Sequence, residues 1–244
     1  MLMAVPNPSI NKKEYIITQI VHETPDVDIF YITPLDNQPL NFDPGMFVML
    51  TYVSTEPKVE ITRAFSIGSS PTTPVLDFYI HMIHGQLTSK LENSKIGDKL
   101  LVTGPYGQFR FIPSEDKKVL FIAGGTGLAP MMSMLKQIND QSTGTDVVMF
   151  YSVRYPNEII RKDELKELES KIKLKNIITV TRESDLPWNG ERGRINSEMI
   201  RKHCEDCRER TVYICGPLEF VKAMKQATQE LGINNVKVKA DVWG

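Results

Sequence analysis

Two domains in tandem are predicted, an antiparallel β-barrel followed by an α/β layer on a parallel sheet. Three observations lead there. Up to about Val102 the chain is built of short β-rich runs separated by turn residues, the pattern of antiparallel strands in a sandwich or barrel. At Val119-Leu-Phe-Ile-Ala123 an apolar run appears that is too continuous for a strand with one wet face, so both its faces are covered. Beyond it strand-like and helix-like segments alternate, which means βαβ units. With 244 residues there is chain enough for two ordinary domains. The polar, proline-bearing stretch Phe111-Ile-Pro-Ser-Glu-Asp-Lys-Lys118 divides them into 1–113 and 114–244.

In the first domain strands are expected over 15–21, 27–32, 46–53, 61–67, 76–83 and 99–103, runs rich in β-branched and aromatic residues. Breaks come from Thr24-Pro25-Asp26, the proline-flanked stretch 34–44, the stretch 69–74 and Gly97-Asp98. One short helical segment, 88–94, opens just after Gly85. In the second domain the expected strands are 119–123, 147–152, 177–181, 211–215 and 236–240. The helices expected between them are 129–138, 158–171, 197–203 and 218–231.

Composition narrows the function class. Hydrophobic content of 41% and charged content of 24% are those of a soluble globular protein. A net charge of −1 gives no broad reason to expect nucleic acid or an anionic membrane as partner. No apolar run approaches the roughly 18 residues of a membrane span. The opening Met1-Leu-Met-Ala-Val-Pro-Asn-Pro8 lacks the cationic region and apolar core of a secretory leader. The cysteines number three, Cys215 and the lone C-x-x-C of Cys204 and Cys207. An iron–sulfur cluster or all-cysteine zinc site takes four, so free thiols in a reducing cytoplasm are expected. No metal site is expected either, because His22, His81, His84 and His203 show no metal spacing. No Ser-His-Asp or Cys-His set stands out, and nothing fixes the oligomeric state.

Four motifs carry chemistry. Arg63-Ala64-Phe65-Ser66 puts a cation, a ring and a hydroxyl on one strand, with Arg63 and Phe65 on one face. Arginine's fork suits a phosphate, a ring suits a flat heterocycle, and a hydroxyl can meet a ring nitrogen. A flavin nucleotide satisfies all three; a solvated arginine on an edge strand is the plainer reading. Gly85-Gln86-Leu87-Thr88 offers close backbone approach and the free N–H groups of a helix start, unless Thr88 is simply an N-cap. Ala123-Gly-Gly125-Thr126-Gly127-Leu-Ala-Pro130 ends the first parallel strand where open sheets bind nucleotides, although the spacing is neither G-x-G-x-x-G nor a P-loop. Cys215-Gly216-Pro217 sits on another strand end, with the buried thiol as apolar filler its structural alternative. Trp243, almost at the end of the sequence, either packs or reaches across the strand ends.

In order and spacing these pieces resemble the ferredoxin–NADP reductase superfamily over nearly the whole chain. Arg63–Ser66 resembles its R-x-[YF]-S flavin segment and Gly85–Thr88 its G-x-x-[ST] pyrophosphate segment. Gly104-Pro-Tyr-Gly-Gln-Phe109 resembles the loop beyond the barrel's closing strand. Gly124 to Pro130 and Cys215-Gly216-Pro217 match the pyridine-nucleotide domain, and Asp241-Val-Trp243 its acidic-x-aromatic tail. Ala64 is smaller than the usual residue, Gly244 extends past the aromatic, and the ferredoxin-like cluster domain of many relatives has no counterpart.

The resemblance implies a Greek-key FAD barrel, a five-stranded parallel NAD(P) domain, and hydride transfer from NADPH or NADH to flavin. It implies that Arg63 and Thr88 hold phosphate and that Phe65 and Ser66 face the flavin ring, with Ala64, Tyr79, Ile80, His81, Gln86 and Leu87 around it. Gly125, Thr126, Gly127, Gly216 and Pro217 would admit the nicotinamide nucleotide, Cys215 would lie near its C4, and Trp243 would shield the flavin. Ser66, Cys215 and Trp243 are then the catalytic candidates. Nicotinamide preference is read at Arg154, Arg182 and Arg194, with Arg182 favouring NADPH. The leading function is a reductase serving a separate ferredoxin, flavodoxin or oxygenase protein; the alternatives are a reductase of diffusing flavin and a nucleotide-binding subunit of a larger complex.

Overall fold

The structure, a computed structural model, describes residues 11–55 and 58–243. The opening residues read above for a leader, and Gly244, lie outside the described residues. The first six strands are β1 (Asn11–Thr24), β2 (Val27–Pro34), β3 (Phe47–Thr55), β4 (Lys58–Ser66), β5 (Leu76–His81) and β6 (Lys99–Tyr106). They form one antiparallel Greek-key barrel in the order β4-β3-β6-β1-β2-β5. Its interior is filled by Tyr15, Ile17, Phe30, Ile32, Val48, Leu50, Phe78 and Val102, the inward residues of successive strands. The short helix α1 (Thr88–Leu91) ends sooner than the segment 88–94 that the sequence suggests.

Strands β2 and β5 break the simple alternation because both their faces are covered. Inward, Phe30 and Phe78 enter the barrel core. Outward, three cross-strand pairs, Val27 with His81, Ile29 with Tyr79 and Tyr31 with Asp77, face the second domain. Val27, Ile29 and Tyr79 share a cluster with Phe121, Leu128 and Met131 of that domain. A wet outer face would have read polar at these positions.

The second domain comprises β7 (Lys118–Gly124), α2 (Leu128–Asp140), β8 (Asp146–Val153), α3 (Lys162–Lys171), β9 (Leu174–Val180), β10 (Glu191–Arg192), α4 (Ser197–His203), β11 (Thr211–Pro217), α5 (Leu218–Glu230) and β12 (Val238–Trp243). All strands pair in parallel, in the order β10-β9-β8-β7-β11-β12. The expected five strands are joined by the two-residue β10, which continues the edge beside β9. Alternate residues of β7 serve opposite layers: Val119, Phe121 and Ala123 meet α2, while Leu120 and Ile122 meet α4 and α5. Helix α3 begins at Lys162 rather than at Glu158, because Pro156–Glu158 is a 3-10 turn and Arg161 is left-handed at φ 54. Likewise Asn235–Lys237 is a 3-10 turn, so β12 starts at Val238.

The seam between the domains also holds charge. Lys136 of α2 crosses it to Asp77 of β5 at 2.9 Å, a pair whose side chains are 16% and 4% exposed. The Arg161 guanidinium lies 5.4 and 5.6 Å from the ring centroids of Tyr31 and Tyr79. Removing one partner of a buried pair strands the other charge, which costs about 3 kcal/mol or more. Lys136→Met should therefore lower stability by about 3 kcal/mol in urea unfolding. A change within about 0.5 kcal/mol would show that the pair does not hold the seam.

Candidate functional site

The barrel sheet ends in two edge strands, β4 and β5, and the phosphate-type motifs lie at that opening. Arg63 of β4 is exposed and donates to the Thr62 carbonyl at 2.7 Å and to Gln86 Oε1 at 3.0 Å. The R-A-F-S and G-Q-L-T segments are thereby brought side by side. Thr88 is the first residue of α1 and not its cap; Leu87 takes the cap position without a side-chain bond. The Thr88 hydroxyl accepts from the Gly85 N–H at 2.8 Å and donates to the Gly85 carbonyl at 3.3 Å, which closes the turn on itself. Around Gly85 a Cβ would meet nothing nearer than 3.5 Å, so the turn stands clear of its surroundings. Phe65 is half-buried and meets Phe78 edge-on, its centroid 6.4 Å away, so part of the ring packs on the barrel core. Ala64 is exposed, Ser66 closes the strand opposite Phe47, and Leu87 is buried. Tyr79 and Ile80 lie within the fold: Tyr79 faces the domain seam and Ile80 the barrel core, so neither side chain faces the opening.

At the C-terminal end of the parallel sheet each glycine has its own reason. Gly125 has φ +55 and open space around it, so it is selected for conformation and leaves room above the strand ends. A Cβ on Gly127 would lie 2.3 Å from the Cys215 carbonyl oxygen, so this glycine is selected for close packing. Gly124 and Gly216 both lie against Phe220, within 3.1 and 2.7 Å of an added Cβ. Cys215 is fully buried, and burial together with the neighbouring Asp241 pushes its thiol far up. Cys215 does not line the cleft beside the Gly125–Gly127 turn.

That cleft, of about 290 Å³, is bounded by both domains. Asp26 and His81 come from the barrel, and Gly125, Thr126, Pro217 and Trp243 from the strand ends opposite. Trp243 is 36% exposed and pairs in register with Pro217, which sets the indole beside the turn that opens α5. Arg154, just past β8, donates through Nε to Glu158 Oε2 at 3.0 Å, and its Nη2 also reaches Asp26. His81 Nε2 lies 3.0 Å from the same Asp26 oxygen. Burial pushes the Asp26 carboxyl up, but His81 and Arg154 outweigh it and hold it below the usual carboxylate range.

The three arginines separate in space. Arg182 lies 5.8 Å over the Tyr155 ring and shares a second, surface cleft with Arg192, Glu183 and Asp185. Arg194 is exposed and lines neither cleft. Sequence reading passed over Asp26, Phe220 and Arg192. Phe220, three residues after Pro217 on the first turn of α5, has a usable local signal; Asp26, 128 residues from Arg154, has none.

Known proteins share the two domains in this order. The family model described as "Oxidoreductase FAD-binding domain" matches residues 14–111, and "Oxidoreductase NAD-binding domain" matches 121–226. The glycine betaine monooxygenase reductase subunit of Pseudomonas aeruginosa is 32% identical over 234 residues, 93% of this chain and 63% of the relative. The chain thus spans less than two thirds of that relative's length. The ferredoxin reductase in carbazole 1,9a-dioxygenase superposes with a TM-score of 0.85 at 27% identity, covering 98% of this chain and 71% of that one. A ferredoxin NADP+ reductase from Neisseria gonorrhoeae with bound FAD and NADP shares the fold at a TM-score of 0.79 and 23% identity, covering 95% and 98% of the two chains. With a barrel of the FAD-binding type joined in order to a domain of the NAD-binding type, the chain belongs to the ferredoxin–NADP reductase superfamily.

Proposed function

We propose that this chain is an NAD(P)H-dependent flavoenzyme that passes electrons to a separate carrier or oxygenase protein, acting in the cytoplasm. The observation that carries the reading is the cleft where His81 of the barrel faces Gly125, Pro217 and Trp243 of the second domain. Such a cleft at a topological switch point suits a nicotinamide nucleotide laid across the strand ends. A bound flavin supplies the chemistry of accepting a hydride and releasing electrons one at a time. The chain's own residues bind, orient and exclude water.

The barrel fits FAD. Arg63 is exposed beside the Gly85–Thr88 turn, so a cation and the N–H groups of a helix start serve one pyrophosphate. Phe65 and Ser66 border the ring system, and Ala64 and Gln86 complete the rim. Leu87 and Ile80 act by packing, and Tyr79 sets the seam. At the nucleotide side Gly125 and Thr126 admit the cofactor, while Gly127, Cys215 and Gly216 form the packed floor that holds the turn in place. Trp243 rests where it can cover the flavin and be moved by the nicotinamide ring. Arg154 addresses the pyrophosphate of the dinucleotide and Arg182 with Arg192 a 2′-phosphate, while Arg194, outside both clefts, takes no part. The domain division is kept at 113/114. The reductase-subunit name of the Pseudomonas relative supports an external acceptor, and three free thiols suit a reducing compartment.

The purified protein should be yellow, carry one FAD, and bleach on anaerobic addition of NADPH or NADH. A colourless active protein would point instead to a reductase of diffusing flavin, and a colourless inactive one to a subunit working only within a complex. A charge-assisted phosphate contact is worth on the order of 1.5–3 kcal/mol, so Arg63→Ala should weaken FAD retention at least about tenfold in equilibrium dialysis. Unchanged retention, or FMN in the native protein, would refute the assignment.

Steady-state kinetics with both donors test the nucleotide preference. NADPH is expected to be favoured, with Arg182→Ala raising its KM about tenfold and leaving NADH unaffected. A preference for NADH that the substitution does not touch would rule out this role.

Trp243→Ala should strengthen nicotinamide stacking, seen as a long-wavelength charge-transfer band, and slow product release, because an indole contributes roughly 0.5–1.5 kcal/mol of competing stacking. Lower stability with unchanged spectra and turnover would leave Trp243 as a packing residue.

A further inference from the structure

The end of β1 with the turn that follows it and the segment after β8 are tied together at two points of different character. At one, the Arg161 backbone N–H donates to Glu23 Oε1 at 2.7 Å, and the Arg161 side chain, 17% exposed, lies against Tyr31 and Tyr79. At the other, Asp26 bonds Arg154, whose side chain is 44% exposed and lines the nucleotide cleft. The first contact is enclosed in the seam; the second stands at the mouth of the cleft and can part while the first holds.

Arg154 is already committed there. Its Nη2 bonds Asp26 and also lies 2.8 Å from Glu158 Oε1, and its Nε lies 3.0 Å from Glu158 Oε2. Two carboxylates thus face one guanidinium, with His81 3.0 Å from the Asp26 oxygen on the other side. A dinucleotide entering this cleft brings a doubly charged pyrophosphate to a place where carboxylates outnumber cations. Glu158 follows Arg154 by four residues, and its grip includes the Arg154 backbone N–H at 3.2 Å. Asp26 comes from the other domain and holds Arg154 by the guanidinium alone, so it is the partner that can yield.

We propose that Asp26 is an internal competitor for Arg154: it occupies the guanidinium until the dinucleotide's pyrophosphate takes its place, and so sets the affinity of the cleft for NAD(P)H. This rests on the reading of the cleft as the nicotinamide nucleotide site. The pyrophosphate is the part concerned because Arg154 shares the cleft with Gly125 and Thr126, whereas Arg182 and Arg192 lie in the other one. Apparent affinity scales with the fraction of molecules in which Arg154 is free, and freeing it from an exposed pair changes that fraction by up to about fivefold. After exchange Asp26 keeps its bond to His81, so the carboxylate is not left alone.

ADP-ribose is the probe, since it has the pyrophosphate but neither the nicotinamide ring nor a 2′-phosphate. It is titrated calorimetrically into flavin-loaded wild type, Asp26→Asn, Arg154→Ala and the double variant. Asp26→Asn is expected to bind about threefold to fivefold more tightly than wild type. Arg154→Ala is expected to bind more weakly, and adding Asp26→Asn to it should change nothing beyond twofold. Unchanged or weaker binding by Asp26→Asn overturns the proposal. So does an equal gain in the Arg154→Ala background, which would mean only that a negative charge near an anion had been removed. Asp26→Ser is read in the same titration should the asparagine variant not fold. Anaerobic bleaching of the wild-type flavin by NADPH or NADH tests the underlying reading separately. If bleaching occurs and Asp26→Asn shows no gain, the competitor falls alone; if wild type neither bleaches nor binds ADP-ribose, both fall.

Discussion

The constraint on which the rest depends is that β2 and β5 are covered on both faces. Their inner residues build the barrel, and their outer pairs, Val27 with His81, Ile29 with Tyr79 and Tyr31 with Asp77, build the seam. Burying Ile29 and Tyr79 against Phe121 and Leu128 removes apolar surface from water, at roughly 25 cal/mol per Å². The polar members of the same faces, Asp77 and His81, must then find partners across the seam or at its rim, and they do so in Lys136 and Asp26. His81 stands at the cleft because the apolar pair behind it, Ile29 with Tyr79, is packed in the seam. The position of the barrel opening relative to the strand-end cleft is thus a consequence of sheet packing.

The two ends of the parallel sheet are built for different work. At the C-terminal end the backbone is stripped of side chains: Gly125 leaves space and Gly127 lets the turn settle on the Cys215 carbonyl. At the other end Arg210, 5% exposed, bonds Asp206 at 2.7 Å and Asp146 at 2.8 Å and closes the sheet with charge. Hydrogen bonds from Arg210 hold the Asp206 carboxyl far below its usual range, and burial of Asp146 is outweighed by its bonds to Lys173 and Arg210. Both carboxylates therefore contribute stability above the ordinary carboxylate range, and that contribution is lost as pH falls through their lowered folded values.

Much of this architecture was legible in the sequence because its causes are local. The change from short alternating strands to βαβ units follows from hydrophobic period, and every long strand and helix was found. The boundaries that moved have local reasons too: the left-handed Arg161 delays α3, and a 3-10 turn delays β12. The glycine-rich turn, the Cys215-Gly216-Pro217 strand end and the Arg63 segment stand on consecutive residues, so they could be singled out without coordinates.

Tertiary structure alone decided which way those residues face and whom they meet. Tyr79 and Ile80 read as part of a flavin-binding strand, yet one faces the seam and the other the barrel core, because the sheet that covers them is distant in sequence. Cys215 read as a residue near the reacting carbon, yet it is fully buried and does not line the cleft. Arg63 meets Gln86 across 23 residues, and Arg154 meets Asp26 across 128. Hydrophobic period fixes where strands and helices form; strand order, register and domain docking fix which side chains become neighbours. Those neighbours depend on pairings between distant segments, which no window along the chain contains.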